Sequence, residues 1–259
     1  MQRLAVEQRR RLGDRAPWHT GDLAWARWQH AGREDEWEIR TWGDDAWSWL
    51  RLDTGLLDYD VGRPELLDEV LAEPRARSTH AFADDEARIA ALARHGFTTP
   101  GHELHFNARA LDEAPPLPDL PDGFRYRTVE DADLAERVAI HREVWAPSRV
   151  TEESFANVRR AWPYRATLDC VIEAPDGRFA AYALLWPEDE TGVGELEPVG
   201  VREAFRRRGL GAAVCTFALR RWHEEGGHRA IVYCESDAAC ALYESIGFRR
   251  HATLVEYSR

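Results

Sequence analysis

The chain has 259 residues, enough for one large domain or two of ordinary size, and 44% of them are hydrophobic, which excludes a disordered polypeptide. Its net charge of −12 argues against nucleic acid as a partner and favours a small or cationic one. No apolar run has the length of a membrane span and the polar start, Met1 to Arg15, lacks a secretory segment, so a cytoplasmic protein with no membrane partner is expected.

From the N-terminus, seven of the 11 tryptophans fall between Trp18 and Trp49, where packing of a core and of the contact between halves is the expected role. Trp37–Thr41, Ala46–Leu52 and Leu56–Val61 read as strands of a meander. Phe82 to Phe97 reads as the end of a strand, a helix and a Gly96-Phe97 stop. Ala114 to Gly123 holds four prolines within seven residues, which favours a stiff extended connection. Beyond it, Phe124–Thr128 reads as a strand, Glu130–Trp145 as a helix, and Thr151 as the cap of a second helix. Strands follow near Leu168–Glu173 and Phe179–Trp186, joined through the turn residues Pro175-Asp176-Gly177. The half from residue 123 therefore reads β-α-α-β-β-β-α-β-α-β.

The most informative stretch is Glu197 to Gly211. Pro198 lacks an N–H for a ladder and suits a bulge or a splayed strand. Arg206-Arg207-Arg208-Gly209-Leu210-Gly211 leads into a helix with apolar residues at Leu210, Ala213, Val214, Phe217 and Ala218. Glycines that can turn successive N–H groups inward, a helix N-terminus and three guanidiniums together make a phosphate cradle. The pattern is neither a Gly-x-x-x-x-Gly-Lys-Ser/Thr loop nor a three-glycine dinucleotide loop. A buried strand, Ala230–Cys234, and a helix capped by Ser236 or Asp237 complete the half. Cys170, Cys215, Cys234 and Cys240 lie in apolar surroundings without metal spacing, so four buried thiols and no metal site are expected.

The arginine–glycine hexapeptide resembles the coenzyme A pyrophosphate loop of the GNAT acetyltransferases, and Leu242-Tyr243-Glu244-Ser245-Ile246-Gly247-Phe248 resembles the Leu-Tyr-x-x-x-Gly-Phe close of the same family. The resemblance implies an α/β (α+β) fold of two tandem GNAT-like domains, each a mixed, mostly antiparallel sheet flanked by helices. Residues 1–113 would form a degenerate domain, 114–122 the linker and 123–259 the catalytic domain, a layout that resembles mycothiol synthase. In the first half, Leu92 stands where Tyr243 does, and Gly62-Arg63-Pro64 offers no glycine cradle.

The same resemblance implies acetyl-CoA as co-substrate, held by Arg206, Arg207, Arg208, Gly209, Leu210, Gly211 and Ala212. The backbone of Val199, Gly200 and Val201 would hold the pantetheine arm. Glu195 is implied as general base, with Glu197 the alternative because a bulge at Pro198 leaves the facing open. Tyr243 would be the general acid and the Val199 N–H the oxyanion donor. The implied reaction is direct acetyl transfer to the primary amine of a small-molecule acceptor. A non-catalytic acyl-CoA-binding module and a protein N-acetyltransferase are the alternatives, and the oligomeric state is left open. One departure is that Asp237-Ala238-Ala239-Cys240-Ala241 is shorter than the family segment and lacks its asparagine.

Overall fold

The computed structural model describes residues 1–259. The first half contains α1 (Gln2–Leu12), α2 (Thr20–Trp28), β1 (Trp37–Trp42), β2 (Ala46–Arg51), β3 (Leu56–Val61), α3 (Leu67–Leu71), β4 (Ser78–Phe82), α4 (Glu86–Arg94) and β5 (Thr99–Ala110). The second contains β6 (Arg125–Thr128), α5 (Leu134–Val144), α6 (Glu152–Arg160), β7 (Asp169–Glu173), β8 (Phe179–Glu188), β9 (Val193–Val201), α7 (Leu210–Glu224), β10 (Arg229–Cys234), α8 (Asp237–Ser245) and β11 (Arg249–Ser258). The two halves share one order of elements, the first lacking only an opening strand. No helix is long and apolar enough to cross a membrane.

Local chemistry accounts for most element ends. Thr151 caps α6 by accepting the Ser154 N–H, Ser236 caps α8 by accepting the Ala239 N–H, and Asp85 caps α4 through the Arg88 N–H. The segment between β5 and β6 contains no strand or helix, as its prolines require.

The strands form one sheet of 11, in the order β1-β2-β3-β4-β11-β5-β10-β9-β8-β7-β6. Every neighbouring pair is antiparallel except β3–β4 and β9–β10. The final strands of the halves are exchanged: β5 lies between β10 and β11, while β11 lies between β4 and β5. The exchange covers the edges that β4 and β10 would otherwise present, and it makes the sheet continuous across the proline-rich linker.

The largest core lies under α7, where Ala213, Val214, Ala218, Leu219 and Trp222 pack against Leu185 and Leu196. All ten residues of β8 are buried, because α7 covers one face and α5, α6 and α2 cover the other. A helix of the first half thus packs on the central strand of the second. Gly21 permits the approach, since a Cβ there would lie 2.4 Å from the Trp186 Cβ. Beneath that contact Arg137 Nε donates to Asp169 Oδ1 at 2.9 Å, with both side chains fully buried. The guanidinium stacks on the Tyr182 ring at 4.0 Å, and the Tyr164 hydroxyl donates to the other Asp169 oxygen. Arg137→Ala strands that carboxylate, so a loss of about 3–5 kcal/mol is expected in urea unfolding. A change below about 1 kcal/mol would show the pair to be dispensable.

Candidate active site

The strands β9 and β10 pair only at Arg229↔Val193, Ala230↔Gly194 and Ile231↔Glu195, and beyond Glu195 they part. The expected bulge is present: the β8–β9 register shifts between Ala183 and Leu185, opposite Glu197 and Pro198. The Glu197 carbonyl freed there accepts the Trp186 indole N–H at 2.7 Å. Arg202 N–H donates to Ala180 O across the β8 side. Peptide groups alternate sides along a strand, so those of Val201 and Val199 face the gap and that of Gly200 faces β8. Of the three residues expected to line the gap, two turn their backbone toward it.

The loop after β9 holds two residues in the left-handed region. Arg207 has φ 59°, and Gly209 has φ 76° as the residue preceding α7. The first backbone bond of α7 runs from Ala213 N–H to Gly209 O, so the N–H groups from Gly209 to Ala212 have no intrahelical acceptor. They point out of the helix N-terminus beside the exposed side chains of Arg206, Arg207 and Arg208. Gly211 differs from expectation: it is helical, and its role is close approach, since a Cβ would lie 2.7 Å from Leu242 Cδ1 and 3.3 Å from Val201 Cγ2.

Tyr243 projects from α8 and is buried beside the gap. Burial pushes its phenol well above the usual range, so it remains a proton donor across neutral pH. The connection before it also corrects an expectation. Cys234 and Cys240 form a disulfide, with their Cα atoms 5.5 Å apart, while Cys170 and Cys215 are the buried thiols. The shortened segment folds the first turn of α8 back onto the end of β10, which is what brings the two sulfurs together.

The gap opens into a cavity of ~780 Å³ between the halves, whose walls include Trp18, Asp22 and Trp25 from the first and Glu197, Tyr233 and Tyr243 from the second. Trp47 and Trp49 are core residues as expected, so the tryptophan-rich segment serves both packing and the cavity wall. Asp22, Glu195 and Glu197 each place a carboxylate oxygen within 4.8 Å of the others. These three are the residues here that could hold a cation. Both candidate bases are therefore brought to one place, joined by an aspartate from the other half.

The trio's electrostatics follow from burial. Glu195 is fully buried and its carboxyl is pushed up to about 8, first by loss of water and then by Glu197. Asp22 and Glu197 are also held well above the carboxylate range, by burial and then by the neighbouring carboxyl. His19 lies behind them, fully buried, with Nδ1 3.2 Å from Glu195 Oε2. Burial lowers its ring to about 4, so it is neutral. Sequence reading missed Asp22, His19 and Tyr233. The available signal was a capping pattern, His19 with Asp22 at the start of α2, which indicates a helix start and carries no catalytic information.

The sequence profile described as "Acetyltransferase (GNAT) family" matches residues 135–248. A mycothiol acetyltransferase from Clavibacter sepedonicus is 30% identical over 77% of this chain and 68% of its own length. Another from Amycolatopsis mediterranei is 33% identical over 60% of this chain and 56% of its own length. The chain thus spans only about half to two thirds of such relatives. A solved tandem GNAT protein from the clavulanic acid biosynthesis pathway superposes with a TM-score of 0.69 at 16% identity, covering 100% of this chain and 93% of that one.

Proposed function

Because this chain belongs to the GNAT acetyltransferase family, we propose that it is an acetyl-CoA-dependent N-acetyltransferase acting on a primary amine of a small molecule. The observation that carries this reading is the continuity of the site. An N-terminal helix cradle, a parted strand pair and a buried acid–base set follow one another along a single gap.

Acetyl-CoA would supply an activated acetyl thioester, which the cradle and the gap fit in charge and shape. The N–H groups of Gly209 to Ala212 and the three arginines are placed to take its pyrophosphate. Val199 and Val201 present the backbone groups that would hold its arm, in the manner of an added strand. The Val199 N–H is the donor placed to stabilise charge on the carbonyl oxygen during attack. The carboxyl trio offers the amine hydrogen-bonding partners at the floor of the cavity. Glu195, its innermost member, serves as base once ionised, with Asp22 and Glu197 holding the amine. Tyr243 gives its proton to the departing thiolate. The new C–N bond forms as the C–S bond breaks, and no residue is acylated.

Since curated relatives carry the name mycothiol acetyltransferase, the amine precursor of mycothiol is the first acceptor to try. The test is calorimetry with acetyl-CoA, followed by release of the coenzyme A thiol across an amine panel. A saturable acetyl-CoA site and turnover with at least one amine are expected. Gly209→Val forces a β-branched residue to φ 76°, at a cost of about 1–3 kcal/mol, so affinity should fall about tenfold or more. Absence of binding would overturn the assignment, and binding without transfer to any amine would favour the non-catalytic module.

A further inference from the structure

We infer that the cavity carries an anion-binding subsite, built by Arg51 of the first half and Arg149 of the second, and that the acceptor is an amine with a carboxylate or phosphate at its other end. The acceptor class rests on the reading of the reaction above; the subsite rests on the hydrogen bonds and charges of the cavity wall.

Both guanidiniums line the cavity that Asp22 and Glu197 also line. Arg51 ends β2, and Asp58 on the neighbouring β3 orients it. One carboxylate oxygen, Oδ2, takes Nη2 at 3.1 Å and Nε at 3.3 Å, which leaves Nη1 without a partner in the protein. Asp58 is buried, whereas the Arg51 side chain is 41% exposed, so the free edge is open to the cavity. Arg149 lies between α5 and α6 and donates from Nη2 to Glu36 Oε1 at 3.1 Å. Arg33 already holds Glu36, with Nε 2.6 Å from the same oxygen and Nη2 on the other. Two guanidiniums thus share one carboxylate, and Nε and Nη1 of Arg149 are left over on a side chain that is 58% exposed.

The sheet holds the pair side by side. Glu36 immediately precedes β1, Trp37 pairs with Arg51, and the Leu52 N–H donates to Glu36 O at 2.9 Å. The anchor of Arg149 is therefore a backbone neighbour of Arg51. His30, from the segment between α2 and β1, feels both: burial lowers its ring, and Arg149 and then Arg51 lower it further. Its Nδ1 has no hydrogen-bond partner. Apart from Asp22 and Glu197, the acids lining the cavity are Asp58 and Glu235, and each already faces a base, Arg51 at 3.1 Å and His102 at 3.3 Å. In a chain of net charge −12, this wall carries more basic groups than acidic ones.

Wall and floor together select one kind of acceptor. Arg51 is close enough to Glu197 to oppose the rise that burial gives that carboxyl. An amine resting on the trio therefore has its other end toward Arg51 and Arg149. An acid group there accepts from the free edges of both, in charge-assisted bonds within a cavity partly shielded from water. A second ammonium in that place would meet two guanidiniums and be rejected. Asp58 and Glu36 are the positioning residues, each fixing one guanidinium while leaving part of its donor set unused.

Calorimetry with glutarate and with inorganic phosphate, neither of them an amine, tests the subsite without the reaction. Saturable binding of at least one is expected, and the tighter of the two identifies the acid group. Arg149→Gln should fold as wild type, since Glu36 keeps Arg33, and should bind the anion about tenfold more weakly. Phosphate held by the Arg206–Arg208 turn is common to both proteins and cancels in the comparison. Arg51→Lys, which retains a charge beside Asp58 but loses the fork, should weaken binding in the same direction. Acetyl transfer to matched amines tests the acceptor class, with β-alanine against propylamine and phosphoethanolamine against ethanolamine. The kcat/KM of an acidic member should exceed that of its neutral partner by about 10–100-fold, and Arg149→Gln should bring the ratio to about one. Equal anion binding by wild type and a folded Arg149→Gln protein would overturn the subsite. A neutral amine used as well as its acidic partner would overturn the acceptor class. Anion binding that Arg149→Gln weakens, beside no transfer to any amine, would instead fail the acetyltransferase reading and leave the subsite in place.

Discussion

Tyr243→Phe is expected to lower kcat by about 10²–10⁴-fold while leaving acetyl-CoA affinity within about twofold. The phenol is the one hydroxyl that α8 delivers to the cavity, which Val199 also lines. Burial keeps it protonated, so the loss should be flat across the working pH range rather than confined to a limb. Phenylalanine preserves the ring contact with Phe248, whose centroid lies 5.9 Å away, so the fold should be unaffected. Steady-state rates with calorimetry on the same preparations decide the matter. Equal kcat for the two proteins would remove the acid role, and a parallel loss of affinity would make Tyr243 a binding residue.

Glu195→Gln should lower kcat/KM by about 10²–10³-fold on the alkaline plateau and abolish the acid limb centred near pH 8. Glutamine is close in shape to the protonated carboxyl, so folding should survive. Stability provides a second readout, with a definite sign. A carboxyl whose folded value is raised binds a proton that the unfolded chain has already released. Its contribution is therefore whole below the unfolded value near 4.5 and is lost as pH rises through the folded value of about 8. The wild-type melting temperature should fall across that window, and Glu195→Gln should fall less. His19, lowered to about 4, acts in the opposite sense, with stability lost as pH drops from 6.5 toward 4. A melting curve with the same pH slope in both proteins would show that Glu195 does not hold its proton through neutrality. An intact acid limb in Glu195→Gln would pass the base role to Glu197 or Asp22.

The cradle was legible because its chemistry is local. A left-handed Gly209, a helix start and adjacent arginines are consecutive in the chain, and each works within a few residues of the next. The same holds for the Pro198 bulge, which follows from a missing N–H, and for the caps at Thr151 and Ser236. The repeat was legible in part, from three meander strands and the helix before Gly96-Phe97, whereas α1, α2 and α3 were not read.

The sequence by itself determined most of the strands, the parted strand and the arginine–glycine turn, because these depend on backbone angles and on neighbours a few positions away. Only the tertiary structure decided the exchange of β5 with β11, the bridge between Cys234 and Cys240, and the meeting of Asp22 and His19 with Glu195. The last of these joins residues 173 to 176 positions apart, through a helix seated on another half's sheet. Such contacts are fixed by which apolar faces pack together, and a buried carboxyl acquires its proton only after that packing has removed water.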